Sequence, residues 1–371
     1  MSADTSEQRE VFLLGAGFSR AISPEMPLTK DLGKEISQYT KIYEKVPTTV
    51  RQLLQTDFER ALTFLAHDKP WLPESENLRQ RACYLELVRV LRRILHEKCR
   101  SPLTFSTNSP PRWLEALVNY WHRNRSVVIT LNYDTLIERV AGEQSNGRAV
   151  AIPTGLLYPI PLVPARLRTS AGVPEEVTEG LESFRLLKLH GSINWLYSGR
   201  SQFYGEELFY VPCLGGVDGM FDTWLGEDRE AGHWANVYDK TSLIIPPVLD
   251  KNFFFQHESL QSMWSQASRA IRQATKLICM GYSLPSSDLT MAEFLRTSAP
   301  EKPVSFEIVN REASTPHFES VLKADQFIIR QNTVADEDCI PRFVLGNCCV
   351  DDDERRAIIT FTNWRKQNTS E

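Results

Sequence analysis

The segment Val11-Phe12-Leu13-Leu14-Gly15-Ala16-Gly17-Phe18-Ser19-Arg20 runs from four apolar residues directly into glycines. A brief apolar run ended in this way reads as a buried strand entering a tight turn. Leu28, Leu32 and Ile36 then recur every four residues. That stripe predicts a helix, with Thr29 as its cap and Asp31 in its first turn. Glycines at 15 and 17 let backbone N–H groups approach a phosphate, and the next helix presents its positive end to it. Arg20 stands where the full G-x-G-x-x-G fingerprint has its third glycine, and a tight strand-to-helix turn explains the two glycines as well.

Outward from this turn, residues from about 40 to 123 carry helical spacing throughout. Examples are Phe58, Ala61, Leu62 and Leu65, then Tyr84, Leu87, Val88, Leu91 and Leu95. This reads as a helical insertion between the first two core strands. Further strands are predicted at Ser126–Leu131, Phe184–Leu189, Leu243–Ile245, Leu277–Met280, Val304–Val309 and Phe327–Ile329. Helices are expected after Thr135, from about 257 to 274, and after Asp288. Thr135-x-x-Glu138 has the form of a capping box. Residues 141–183 and 199–240 read as loops. Strands alternating with helices predict an α/β, Rossmann-like fold, a mostly parallel sheet with helices on both faces plus the helical insertion. The expected division is a polar leader over 1–10, a nucleotide-binding domain over 11–330 and an extension over 331–371.

Several of these strands end in polar groups, and ligands of open parallel sheets bind beyond the carboxyl ends of the strands. In TLNYD, residues 130–134, helix capping explains Asp134 and Thr135 but not Asn132, which stands at the strand mouth. KLHGSINW, residues 188–195, puts His190 where a strand stops. A histidine there can act as a base or serve as a structural residue. CMGYSLPSSD, residues 279–288, reads as a glycine turn at Gly281 with Ser283 binding a ribose or phosphate. A nucleophile elbow needs a small residue where Pro285 stands, and no glycine-rich oxyanion loop accompanies it. In FEIVNRE, residues 306–312, Asn310 can bond an adenosine ribose or simply form a turn.

The 371 residues are 42% hydrophobic, enough for a packed core, and the net charge of -5 gives no general attraction to nucleic acid. The seven cysteines form no C-x-x-C pair, which disfavours a structural zinc site and predicts reduced thiols in the cytoplasm. The polar start has no signal-peptide core, and no stretch is long and apolar enough for a bilayer. No Walker A pattern occurs. Arg79, Arg89, Arg92, Arg93, Lys98 and Arg100 surround an apolar helical stripe, giving either a solvated face or a partner surface.

Taken in order, GAGFS, NYD, LHG, GYSL and IVNRE resemble motifs of the sirtuin family over residues 11 to about 312. The chain is most similar to the bacterial sirtuin-like branch of anti-phage defence. It shares with that branch MPLTKDL, NYDTLIE, KLHGSINW, IIPP at 244–247 with Lys251, and GYSLPSSD. The resemblance implies NAD as substrate, with Asn132 and His190 catalytic and Asp134 beside the nicotinamide or the developing positive charge. It places nucleotide binding on Gly15, Ala16, Gly17, Phe18 and Ser19 of the loop, and on Gly281, Ser283 and Asn310. MPLTK replaces the phenylalanine-arginine-glycine segment of deacylating sirtuins, and their two zinc-binding C-x-x-C pairs are missing. The implied activity is therefore NAD hydrolysis with release of nicotinamide and no metal. Protein deacylation and non-catalytic NAD or ADP-ribose sensing are the rival readings. The resemblance further implies NAD depletion on phage infection and control by homo-oligomer assembly or a separately encoded HerA-type ATPase. It implies no membrane partner, and nucleic acid contact only through a partner.

Overall fold

The structure, a computed structural model, describes residues 9–39, 43–100, 111–142, 151–165, 182–198, 206–212, 240–246, 257–286, 288–312, 315–331, 336 and 338–349, with scattered positions from 352 to 359. Cys213, Pro247 and Lys251 lie outside them, as do the side chains of Thr29, Lys30 and Arg100.

The chain opens with β1 (Arg9–Leu14), α1 (Ala16–Ile22) and α2 (Thr29–Ser37). Then come α3 (Thr48–Thr56), α4 (Phe58–Ala66), α5 (Glu74–Arg100) and α6 (Arg112–Asn124). The middle of the chain holds β2 (Val127–Thr130), α7 (Leu136–Gly142), α8 (Thr154–Leu157), β3 (Val163–Pro164), β4 (Arg185–Lys188), β5 (Gly191–Tyr197), β6 (Phe209–Tyr210) and β7 (Thr241–Ile244). It continues through α9 (Glu258–Arg272), β8 (Ala274–Met280), α10 (Leu289–Thr297), β9 (Val304–Val309), α11 (Thr315–Val321), β10 (Phe327–Gln331) and α12 (Cys339–Asn347).

Six strands form one parallel sheet in the order β10-β9-β8-β1-β2-β4. From β1 the chain steps outward to β2 and β4, returns to the other side of β1 at β8, and continues to β9 and β10. Right-handed crossovers in these two directions put helices on opposite faces. The sheet is therefore Rossmann-like, with its topological switch between β1 and β8. Its strands are apolar because both faces are covered: all four residues of β2 are buried. On one face Phe12 of β1 packs edge-on against Trp121 of α6, with ring centroids 5.5 Å apart, and Trp121 also meets Phe184 at 5.6 Å.

That contact revises the helical insertion. Its last helix, α6, belongs to the core as the crossover from β1 to β2, while α2 through α5 pack on one another. Thr29 is the first residue of α2 rather than its cap; Leu28 holds the cap position, and Asp31 Oδ2 accepts from the Leu28 N–H at 3.3 Å.

A second sheet, in the order β3-β6-β5-β7, was not anticipated. It occupies stretches expected to be loops and takes up Leu243 and Ile244, which were expected in a core strand. β4 stops just before His190, as expected, and the chain reverses at Gly191, with φ +77, into the wholly buried β5. In the extension, α12 packs on α6 and β9, burying Phe343 and Val344.

At the switch, two turns touch through their backbones. Gly15 N–H donates to Met280 O at 3.1 Å and Gly17 N–H to Gly281 O at 2.8 Å. Gly281 has φ +63, and a Cβ there would stand 2.1 Å from Phe18 N. Gly281→Ala combines left-handed strain with this clash, and the expected cost is about 3 kcal/mol or more. Urea denaturation measures it; an unchanged midpoint would show that the two turns are not locked together.

Candidate active site

The carboxyl ends of β8, β1, β2 and β4 stand side by side in the sheet, with the switch point between β8 and β1, where an open parallel sheet leaves a crevice. Asn132 lies two residues beyond Thr130, and His190 two residues beyond Lys188, the last pair in register between β2 and β4. The two side chains are thus carried by neighbouring strand mouths at equivalent height. The α1 turn adjoins them through β1.

Asn132 is held from β1. Its Nδ2 donates to Gly15 O at 2.9 Å and to Ser19 Oγ at 2.8 Å, and its backbone N–H donates to Thr130 Oγ1 at 3.1 Å. The Gly15 carbonyl can only accept, so the amide nitrogen must face it, and Oδ1 points the other way. Ser19 is buried and gives its one hydroxyl hydrogen to Asp134 Oδ2 at 2.5 Å. Asp134 Oδ1 in turn accepts from the Leu136 N–H at 3.2 Å, opening α7. Asp134, Ser19 and Asn132 therefore form one chain of hydrogen bonds. Ser19 thus donates to Asp134 and accepts from the Asn132 amide.

His190 is 7% exposed and set among aromatic rings, 6.3 Å from both Tyr133 and Trp264 by ring centroid. The second sheet fixes this corner. His190 O accepts from the Ile245 N–H at 2.8 Å, Tyr133 O accepts from the Ile193 N–H at 2.9 Å, and Tyr133 OH donates to Ile245 O at 2.6 Å. Burial pushes the Tyr133 phenol well above the ordinary tyrosine value, so it stays a donor. Trp264 of α9 donates through Nε1 to Leu189 O at 3.1 Å.

Beneath these residues lies an ion pair between Lys188 and Glu138, 2.8 Å long with both side chains 1% exposed. Lys188 also donates to the Asp134 carbonyl, and Tyr158 OH donates to Glu138 at 2.8 Å. The capping box expected at Thr135 and Glu138 does not form. Glu138 is drawn to Lys188, and the Thr135 hydroxyl has no hydrogen-bond partner.

The other wall is the turn after β8. Gly281 donates its N–H to Val309 O at 3.0 Å, and Asn310 Nδ2 donates to Tyr282 O at 3.4 Å, tying the turn to the end of β9. Ser283 is exposed at the rim. Tyr282 OH donates to Asp288 Oδ2 at 2.8 Å, while Asp288 Oδ1 caps α10. Burial beside Asp288 raises the Tyr282 phenol far above its usual value. Phe18, between the glycines and Ser19, turns its side chain inward. Its ring is wholly buried, 5.9 Å from that of Trp113, and packs in the core.

Sequence reasoning assigned no role to Tyr133, Lys188, Trp264 or Tyr282. A lysine ending an apolar strand was the available signal for Lys188. Trp264 had none, because its place depends on how α9 crosses the sheet. Among the described residues no cluster of His, Cys, Asp and Glu is arranged to hold a metal ion, and no helix is long and apolar enough to cross a membrane.

No protein-family model matches the chain, and no curated protein matches it. Solved structures that align along its length are Sir2 enzymes. One, from work on the mechanism and regulation of Sir2 enzymes, is 14% identical with a TM-score of 0.38, covering 95% of this chain and 94% of the other. A Sir2–p53 peptide–NAD+ complex is 16% identical with a TM-score of 0.37, covering 91% and 92%.

Removing one partner of the buried pair leaves the other charge stranded. Lys188→Met is expected to lose about 3–5 kcal/mol of stability, and Lys188→Met with Glu138→Leu to recover most of it. Urea denaturation of both variants tests this; a Lys188→Met protein as stable as the parent would show that the pair does not hold the site.

Proposed function

We propose that this chain binds NAD in the crevice and hydrolyses its nicotinamide–ribose bond, yielding nicotinamide and ADP-ribose. The observation that carries the reading is the placing of Asn132 and His190 at equivalent positions on adjacent strand mouths, beside the glycine turn at the switch point. The motif resemblance to NAD-consuming sirtuin-like proteins supplies the substrate.

Nicotinamide in NAD is a cationic substituent and departs neutral, so its departure needs no general acid. The transition state needs support for positive charge on the ribose and a positioned nucleophile. Asn132 presents Oδ1 as an acceptor for the attacking water or a ribose hydroxyl, with its amide already fixed by Gly15 and Ser19. His190 acts as the base, or holds a ribose hydroxyl. Asp134 adds a carboxylate behind Asn132 that favours the developing cation. The 15–17 turn, Gly281, Ser283 and Asn310 line the path for the pyrophosphate and the adenosine half. Depletion of NAD during phage infection, a cytoplasmic setting and control by a HerA-type ATPase belong to the same proposal. The defence role and the ATPase rest on the motif resemblance, and the cytoplasmic setting on the cysteine usage and the polar start.

Purified protein incubated with NAD should release nicotinamide and ADP-ribose, resolved by chromatography. Asn132→Ala and His190→Ala should each lower turnover roughly 100-fold or more while NAD binding by calorimetry persists. Ser19→Ala should lower it by ~10–100-fold through a loosened amide. Acyl-ADP-ribose formed only with an acylated peptide would replace this reading with deacylation. Binding without turnover would replace it with a sensor.

A further inference from the structure

The basic run on α5 does not form a positive surface. Arg79 pairs with Glu76, Arg93 with Glu97, and Lys98 with Glu25, while the half-buried Arg92 turns toward Tyr197. The same helix instead shows an apolar face. Leu78 is 52% exposed and Leu85 57%, with exposed Ala82 between them and Arg89 beyond, at spacings that share one side of a helix. Trp71, 74% exposed, precedes the helix at one more seven-residue step. Its loop is fixed. Lys69 N–H donates to Asn77 Oδ1 at 3.0 Å, Asn77 Nδ2 returns a bond to Lys69 O at 3.1 Å, and Lys69 Nζ donates to Gln80 at 2.7 Å. A rigid, exposed tryptophan continuing a leucine stripe is a costly surface to leave in water and has the character of an interface anchor.

Charge selects the occupant. Glu74, at the start of the face, and Arg89, at its end, are both exposed. A second copy of the same helix, laid antiparallel about a two-fold axis near Arg81 and Ala82, brings Leu78 against Leu85 of the second copy. It also brings Glu74 against Arg89, and symmetry makes each contact twice. A parallel arrangement opposes like charges. The small Ala82 at the crossing lets the two backbones approach. The face ends where Arg92 turns into the protomer, which limits the contact to the first half of α5. We propose that two copies of this chain form an isologous dimer through this face.

The dimer is tested on the full chain by sedimentation velocity over a micromolar concentration range, independently of any activity. Wild type should associate to a dimer. Leu78→Asp with Leu85→Asp should raise the dissociation constant about 100-fold or more, with circular dichroism unchanged. Glu74→Arg alone and Arg89→Glu alone should each weaken the dimer, by about tenfold. The two changes in one chain, or the two single variants mixed, should restore it. If the leucine pair fails to fold, the charge swap decides alone. A wild type that stays monomeric, a leucine variant that folds and still dimerises at the parent's affinity, or charge variants that do not rescue one another would each overturn the assignment.

Discussion

Where β1 and β8 end, the chain brings two turns into backbone contact, and the crevice is shaped by that contact. Gly281 O accepts from the Gly17 N–H, and the space a side chain would need at 15, 17 or 281 is filled by the opposite turn. The turn continues through Leu284 at φ +49, a left-handed conformation that a branched side chain resists. Leu284 is held there because its side chain is buried and because the Tyr282–Asp288 bond and the cap of α10 close the loop behind it. The strain lies at the rim of the crevice, where a scaffold can sustain it.

The same contact changes what the glycine turn can do for a ligand. The N–H groups of Gly15 and Gly17 are already committed to carbonyls of the opposite turn. The glycines are therefore required first for close packing at the switch point. What the turn contributes to chemistry runs through Gly15 O and Ser19, which together fix the Asn132 amide. A loop read as a phosphate cradle is, on this geometry, also the positioning device for the neighbouring strand's asparagine.

The parallel sheet was legible because strands buried on both faces read as short apolar runs ending in glycine, asparagine or histidine. Strands β1, β2, β4, β8 and β9 all have that form. The second sheet was not legible. Its strands β3 and β6 are two residues each, and β5 begins at a glycine reversal directly after a strand, so no turn segment marks it. Local patterns also yielded to distant partners. Thr135-x-x-Glu138 has a capping signature, but a lysine fifty positions away captures the carboxylate. The basic stripe of α5 is balanced partly by Glu25 and Glu35, whose proximity depends on how α2 docks. The candidate site was readable as residue types at strand ends; its hydrogen-bond order was not, since that depends on three strands converging.

The buried Lys188–Glu138 pair bears on why such a site is built with so much internal polarity. Replacing an ion pair by apolar packing often costs nothing in stability, so the pair is not explained by stability alone. Its position supplies a reason. Lys188 reaches the Asp134 carbonyl, Asp134 orients Ser19, and Ser19 orients Asn132, so one lysine under the floor sets the direction of an amide at the mouth. On the other side, Glu138 joins Tyr158 and Asn194, which bind the second sheet against His190's strand. Because the amide is already oriented by Gly15 and Ser19, a ligand that meets its Oδ1 spends little binding energy on ordering it.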